Sequence, residues 1–341
     1  MSTITEIASE QPITPDEHDA PPGVGIYALA WRRLRRNRVA MFFGIVFLLI
    51  VVMCVLAPVY SSDIAHIGPD TEVTAPINLG HGKFLYSLNA VGVPIGPTWS
   101  LSHFFLGADE NGRDIAVRLL YGGRNSLEIG TIAMLITMVF GTMFGIIAGY
   151  YRGWLDQTIS RVMDVIWAYP AVLLGITLGT VLNIRGFLFL HSTTLLTTAV
   201  VVGFVYIPYI VRPVRGQVLG LREREFVDAA RQQGLSSFRI MFGELLPNLS
   251  STIVVFVPLM LANSIILEAA LDFLGAGVQP PTPAWGNMIA EGLQQFPGAF
   301  HAVVIPGLAL VITVMSVNIF GDGVRDALDP RSKAAVRQAK N

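Results

Sequence analysis

The stretch WRRLRRNRVAMFFGIVFLLIVVMCVLAPVY, Trp31 to Tyr60, decides the class of this protein. From Val39 to Tyr60 it carries no charge, and at 1.5 Å per helical residue such a run crosses the roughly 30 Å of bilayer hydrocarbon. Arg32, Arg33, Arg35, Arg36 and Arg38 stand directly before it, and positive residues beside a span hold that end in the cytoplasm. A cleaved signal peptide is the competing reading. The run is long for one, however, and its best small-residue site, Val55-Leu56-Ala57, is followed by Pro58. The segment reads as an uncleaved first span, 39–60, behind a cytoplasmic segment, 1–38. The Met1–Asp19 part of that segment is acidic, lacks Lys and Arg, and reads as a disordered tail.

The rest of the chain repeats the signal. Of 341 residues 52% are hydrophobic and 14% charged, against roughly 25% charged in soluble domains, and mean hydropathy is +0.57. A soluble two-domain enzyme is excluded. Apolar runs at Ser126–Tyr150, Ile159–Leu182, Ser192–Val211, Leu249–Leu274 and Ala302–Phe320 complete an all-α membrane protein of six spans. The expected layout is an external loop 61–125, a five-helix core 126–323 containing a cytoplasmic loop 212–248, and a cytoplasmic tail 324–341. With the amino end inside, every Lys and Arg except Lys83, Arg113, Arg118, Arg124 and Arg185 falls on the cytoplasmic side, which puts both termini there. Asp109, Glu110 and Asp114 lie among the external arginines and can neutralise them locally. The spans are rich in Gly and carry Pro170, Pro208, Pro258 and Pro306, as where helices pack closely or bend. Cys54 is the single cysteine; it reads as a small hydrophobe facing lipid.

The loop between the fourth and fifth spans reads REREFVDAARQQGLSSFRIMFGELLPN, Arg222 to Asn248. It predicts two short helices. Glu223–Gln233 is rich in helix formers, with Arg224–Asp228 and Asp228–Arg231 pairs; Gly234 supplies the stop, Ser236 or Ser237 the next cap, and Pro247 lies beyond. Ala229 and Ala230 give the first helix a low profile suited to a groove on another protein; the alternative is a loop lying on lipid headgroups, which also attract arginines. Asp228-Ala229-Ala230, then Gly234, then Leu246-Pro247 resembles the EAA loop of membrane subunits of bacterial ABC importers. Asp228 stands where Glu is usual, and Glu244 where the residue is often apolar. HFFLGADENGRDIAVRLLYGGRNSLEIG (His103–Gly130), LDFLGAGVQPPTPAWGNMIAEG (Leu271–Gly292) and NIFGDGVRDALDPR (Asn318–Arg331) are similar to segments of the C-type permease of dipeptide and oligopeptide importers. Together the likeness covers about Trp31 to Arg331.

The resemblance implies a type I ABC importer permease fold in the bacterial inner membrane, one of two similar permeases forming the pathway. It implies that the helix around Asp228, Ala229, Ala230 and Gly234 couples to two cytoplasmic ATPase subunits, and that an external binding protein delivers di- or oligopeptides. Relatives of the family are associated with nickel chelates, glutathione and other small solutes. ATP and Mg would be held by the partners: the only lysines, Lys83, Lys333 and Lys340, fit no Walker A motif. The chain itself is expected to be no enzyme, to need no cofactor and to bind no nucleic acid. In the external loops, the glycines and prolines read as turns, and Trp99 and Trp285 as residues at the headgroups.

Ionisable residues inside spans are functional by default. Asp164 lines the pathway or pairs with Arg161. Glu268 and Asp272, four apart on one helix face, contact the amino terminus of a peptide or are hydrated. These three are the candidates for the translocation pathway. His18, His66, His81, His103, His191 and His301 are scattered and suggest no metal site. An ion-coupled secondary carrier using Asp164 or Glu268, and an intramembrane hydrolase, are the alternatives; the H-E-x-x-H pattern is absent, and no convincing nucleophile and base stand together.

Overall fold

The computed structural model describes residues 26–78, 84–186 and 195–328. The acidic tail, the start of the expected fourth span, His18, His81, His191, the three lysines and the last part of the carboxyl-terminal tail lie outside the described residues. Helix α1 (Ile26–Leu34) packs Ala30 and Leu34 on Ala327. Asn37 then caps α2 (Arg38–Val55), accepting from Ala40 N–H at 3.1 Å. After α3 (Ala57–Val59) and a π-helical turn (Tyr60–Ala65), a minimal hairpin pairs β1 (Ile77–Asn78) with β2 (Phe84–Leu85).

Asp114 opens α4 (Ile115–Tyr151) by accepting from the N–H groups of Ala116 and Val117 at 2.7 and 3.2 Å, which satisfies two donors that a helix start leaves free. Then follow α5 (Gly153–Trp167), α6 (Ala171–Arg185), α7 (Leu195–Leu221), α8 (Glu225–Gln232), α9 (Ser237–Arg239), a π-helical turn (Ile240–Leu245), α10 (Leu246–Phe273), α11 (Trp285–Leu293) and α12 (Phe300–Leu328). Among the described residues, five helices are long and apolar enough to cross a membrane, and the pair α5 and α6 makes a sixth if counted as one span.

Four expected bounds change. The third span is not one helix: α5 and α6 meet at 91°, because Pro170 has no N–H to continue α5 and disfavours helix at Tyr169. Helix α4 begins at Ile115 rather than Ser126, and α7 runs on to Leu221 rather than ending at Val211. Hydropathy falls at the first arginines, whereas a helix continues until a cap or breaker. Arg118, Arg212 and Arg215 are all carried inside helices and paired with acids. Likewise α12 continues past Phe320 to Leu328.

The most extensive crossing among the described helices joins α4 to α7. Gly141, Gly145 and Gly149 recur every fourth residue, and a Cβ on them would stand 2.6, 2.8 and 2.7 Å from Ile210, Val214 and Val218. Lipid tails are as apolar as the core, so close van der Waals contact must supply the attraction. Gly145→Leu is therefore expected to cost about 1–3 kcal/mol through overpacking. Gly216→Leu, with nothing within 4 Å of the new Cβ, should not. Melting curves in detergent that coincide for the two variants would refute this account of the crossing.

Cys54 is a correction. It is buried, not lipid-facing, and its sulfur fills the space over Gly123 beside Trp285.

Candidate functional site

Helix α8 is short and amphipathic. Glu225 and Asp228 in its first turn and Arg231 in its last complement the helix dipole. Val227 and Ala230 face inward and share a buried cluster with Ile146, Tyr150, Val218, Ile240 and Leu245. Asp228 and Ala229 face out, so the two alanines divide between core and surface. Asp228 bonds Arg231 at 3.0 Å.

The helix ends in a Schellman motif. Leu235 N–H reaches Ala230 C=O at 3.1 Å, Gly234 N–H reaches Arg231 C=O at 2.9 Å, and Gly234 has φ +76°. That left-handed conformation is why glycine stands there. Gly234 is exposed and nothing lies within 4 Å of its notional Cβ.

Ser236 caps the next helix, its side chain accepting from Arg239 N–H at 3.4 Å. Pro247 does not lie beyond that helix. Helical structure continues from Ser237 to Phe273, and Pro247 sits in the first turn of α10, where a missing N–H is tolerated after the π-helical turn. Pro247 is exposed and Leu246 half-buried. The base of α8 is pinned to the end of α4. Arg222 donates to Tyr150 C=O at 2.5 Å, and Arg152 pairs with Glu223 at 2.6 Å.

Asp164 pairs with Arg212 of α7 at 2.9 Å, not with Arg161. Glu268 and Asp272 are 0% and 2% exposed, which removes their reading as hydrated side chains. Glu268 accepts from Ser126 Oγ at 2.9 Å, Ser126 Oγ accepts from Trp285 N–H at 3.2 Å, and Asp272 accepts from Val278 N–H at 2.6 Å. The two carboxyls thus tie α10 to α4, to α11 and to the loop between α10 and α11. Trp285 is buried with its indole donating to Leu119 C=O at 3.0 Å, so it is a core residue and not a headgroup anchor; Trp99 is exposed and edge-on to Phe105. Among the described residues no group of three His, Cys, Asp or Glu suits a metal ion.

At the α11 end two of the external arginines, Arg113 and Arg118, are neutralised, by Asp109 among their acidic neighbours and by Glu291 from outside the segment. Arg113 pairs with Asp109 and Glu291, both at 2.7 Å; Arg118 pairs with Glu291 at 3.0 Å and Asp109 at 3.3 Å. Arg118 also donates to Pro281 C=O at 3.2 Å. Glu291 comes from α11, far along the chain, and spacing gives no sign of it. Burial holds the nearby Asp114 carboxyl above its ordinary value, against the opposing pull of N–H bonds from Val117, Ala116 and Phe104.

Residues 141–334 match the family described as binding-protein-dependent transport system inner membrane component. The chain belongs to this family of permeases. Residues 26–76 match the N-terminal TM domain of oligopeptide transport permease C. The permease is similar over nearly its whole length to the dipeptide transport system permease protein DppC of Alkalihalophilus pseudofirmus, 33% identical over 96% of this chain and 97% of that one. It is also similar to the glutathione transport system permease protein GsiD of Pectobacterium atrosepticum, 36% identical over 89% and 91%. A chain in a structure of the MetNI methionine ABC transporter, in inward facing conformations, shares the fold. Its TM-score is 0.51 at 20% identity, covering 62% of this permease and 96% of that chain. This is the type I importer permease fold, in a multi-pass inner membrane protein; the permease is a transport component and not an enzyme.

Proposed function

We propose that this permease forms half of the pathway of an ATP-driven importer of short peptides, with dipeptides and glutathione-like peptides as the substrate class. Two curated relatives carry those names, and their cargoes share a compact backbone with a free carboxylate. A second, similar permease supplies the other half, and an external binding protein delivers the peptide at the α11 end. Both termini and α8 lie in the cytoplasm, where the arginines before α2 hold the amino end. The observation that carries the coupling is the outer face of α8. Asp228, Ala229 and Gly234 present a low, exposed surface on a helix whose inner face is locked into the core, and such a surface suits a groove on an ATPase subunit. ATP and Mg are bound by two such partners. Nucleotide acts here only through its different affinity for two states of the assembly, so that closing the ATPases rocks the spans between inward-open and outward-open.

Purification of the chain from its native membrane in mild detergent is expected to recover a second six-span permease and Walker-motif ATPases. Recovery of the chain alone, from a preparation that keeps other membrane complexes intact, would refute the assembly. Uptake is likewise expected to survive collapse of the proton gradient at constant ATP; its loss would favour the ion-coupled carrier.

A further inference from the structure

The break in the third span carries a set of side chains that the coupling surface does not use. Ala168, Tyr169 and Pro170 join α5 to α6, and all three are exposed. Irregular backbone at membrane depth is tolerated where it is buried in protein or lines a water-filled space, because lipid offers it no hydrogen bonds. Trp167, the last residue of α5, stacks on Tyr209 of α7 with centroids 4.2 Å apart and planes 26° apart. The Arg212 guanidinium lies 4.1 Å above the Trp167 ring, and its Nη2 donates to Asp164 Oδ1 at 2.9 Å. Tyr209, Trp167, Arg212 and Asp164 thus form one continuous ladder. Its charged end, Arg212 and Asp164, borders a cavity of about 440 Å³ whose wall also includes Ser160 and Arg215.

The exposure of the ion pair decides its role. The Arg212 and Asp164 side chains are 46% and 56% exposed, on α7, which is long and apolar enough to cross a membrane, and on α5, the first half of the broken α5–α6 pair. Charge is costly against lipid and is found facing a water-filled cavity or the bundle interior. The Arg113 and Arg118 knot is packed away from solvent, whereas this pair stands open. An exposed pair contributes little to stability, so it exchanges partners readily. A guanidinium takes a carboxylate through two parallel N–H donors, and only Nη2 is engaged by Asp164.

We propose that this ladder is a station on the translocation pathway for a peptide with a free α-carboxylate. The carboxylate takes the Arg212 fork, Asp164 is released to the peptide's α-ammonium group, and the exposed parts of Trp167 and Tyr209 accept apolar side chains irrespective of sequence. Weak, exchangeable contacts suit a station that must also let its cargo go. The proposal rests on the importer reading above and adds the chemistry by which the cargo is held in transit.

The test uses the complete complex without its binding protein. Cys54 is the only cysteine and is buried, so Tyr209→Cys in a Cys54→Ala background gives one thiol on the ladder. It is expected to react with a charged, water-soluble methanethiosulfonate. Millimolar alanyl-phenylalanine should slow that reaction about tenfold, the scale of one hydrogen-bonded charge pair, while its C-terminal amide protects much less. Arg212→Gln should remove the protection. Should Tyr209→Cys assemble poorly, Ser160→Cys on the cavity wall gives the same readout.

Reaction only with a lipid-soluble maleimide overturns the station, as does cross-linking to the second permease in every state or equal protection by peptide and amide. Wild-type ATP-driven uptake of alanyl-phenylalanine is measured in parallel, with the binding protein restored to the complex. Normal uptake with an unprotected thiol sinks the station alone. Absence of uptake sinks the importer reading, whatever the labelling shows.

Discussion

Gly234→Asn and Gly234→Val are both expected to lower ATP-coupled transport about tenfold or more, the scale of a central interface residue, while membrane insertion and yield stay normal. The chain itself has room for either side chain, since nothing lies within 4 Å of the notional Cβ. What remains is backbone strain and whatever seats against α8. The two variants separate these. Asparagine visits the left-handed region readily, whereas valine pays about 1–2 kcal/mol for it, so strain alone would leave Gly234→Asn close to wild type. Loss of transport in both assigns the effect to docking. The measurement is uptake and stimulated ATP hydrolysis in proteoliposomes, and normal transport by both variants at normal expression would remove α8 from the coupling path.

Glu291→Gln is expected to destabilise the permease by about 3–5 kcal/mol, the cost of breaking a buried ion pair. Glu291 Oε2 receives both Arg113 at 2.7 Å and Arg118 at 3.0 Å. Without its charge, two guanidiniums with side chains 4% and 1% exposed share Asp109 and a more distant Asp70 at 3.7 Å. The exposed Arg152–Glu223 pair has a shorter contact, 2.6 Å, at side-chain exposures of 45% and 67%. Breaking it with Glu223→Gln should cost about 1 kcal/mol or less, because water already solvates both partners. The ranking is therefore set by burial and not by distance. Detergent melting curves in which Glu223→Gln falls further than Glu291→Gln would invert it.

These contrasts also mark what could be read from the chain. Apolar runs found the spans because expulsion from water is an additive property of a run. Hydropathy cannot tell lipid from protein interior, as both are apolar, and so Cys54 was legible as a small hydrophobe but not as the filler over Gly123. Trp285 failed in the same way: its ring suits a headgroup, and only the approach of Leu119 shows where its N–H goes. The α8 cap was legible, because the Schellman motif is local and Gly234 advertises it. Pro170 signals a bend, but its angle depends on α7 and α10 packing against α6. Pro247 misleads as a stop because the π-helical turn ahead of it absorbs the missing donor. The Arg212 ladder was invisible, since Trp167 and Tyr209 meet only through the fold.

The run from Ser237 to Phe273 has the proportions of a long arm. Its 37 residues span roughly 55 Å at 1.5 Å per residue, with α8 joined to one end through Gly234, Leu235 and Ser236 and the Glu268 and Asp272 tether at the other. A tilt of about ten degrees at the α8 end sweeps the far end through about 10 Å for a helix of that length. With ATPase subunits seated on α8 as proposed, the π-helical turn and Pro258 are the two joints in this arm that set how much of such a tilt reaches its far end.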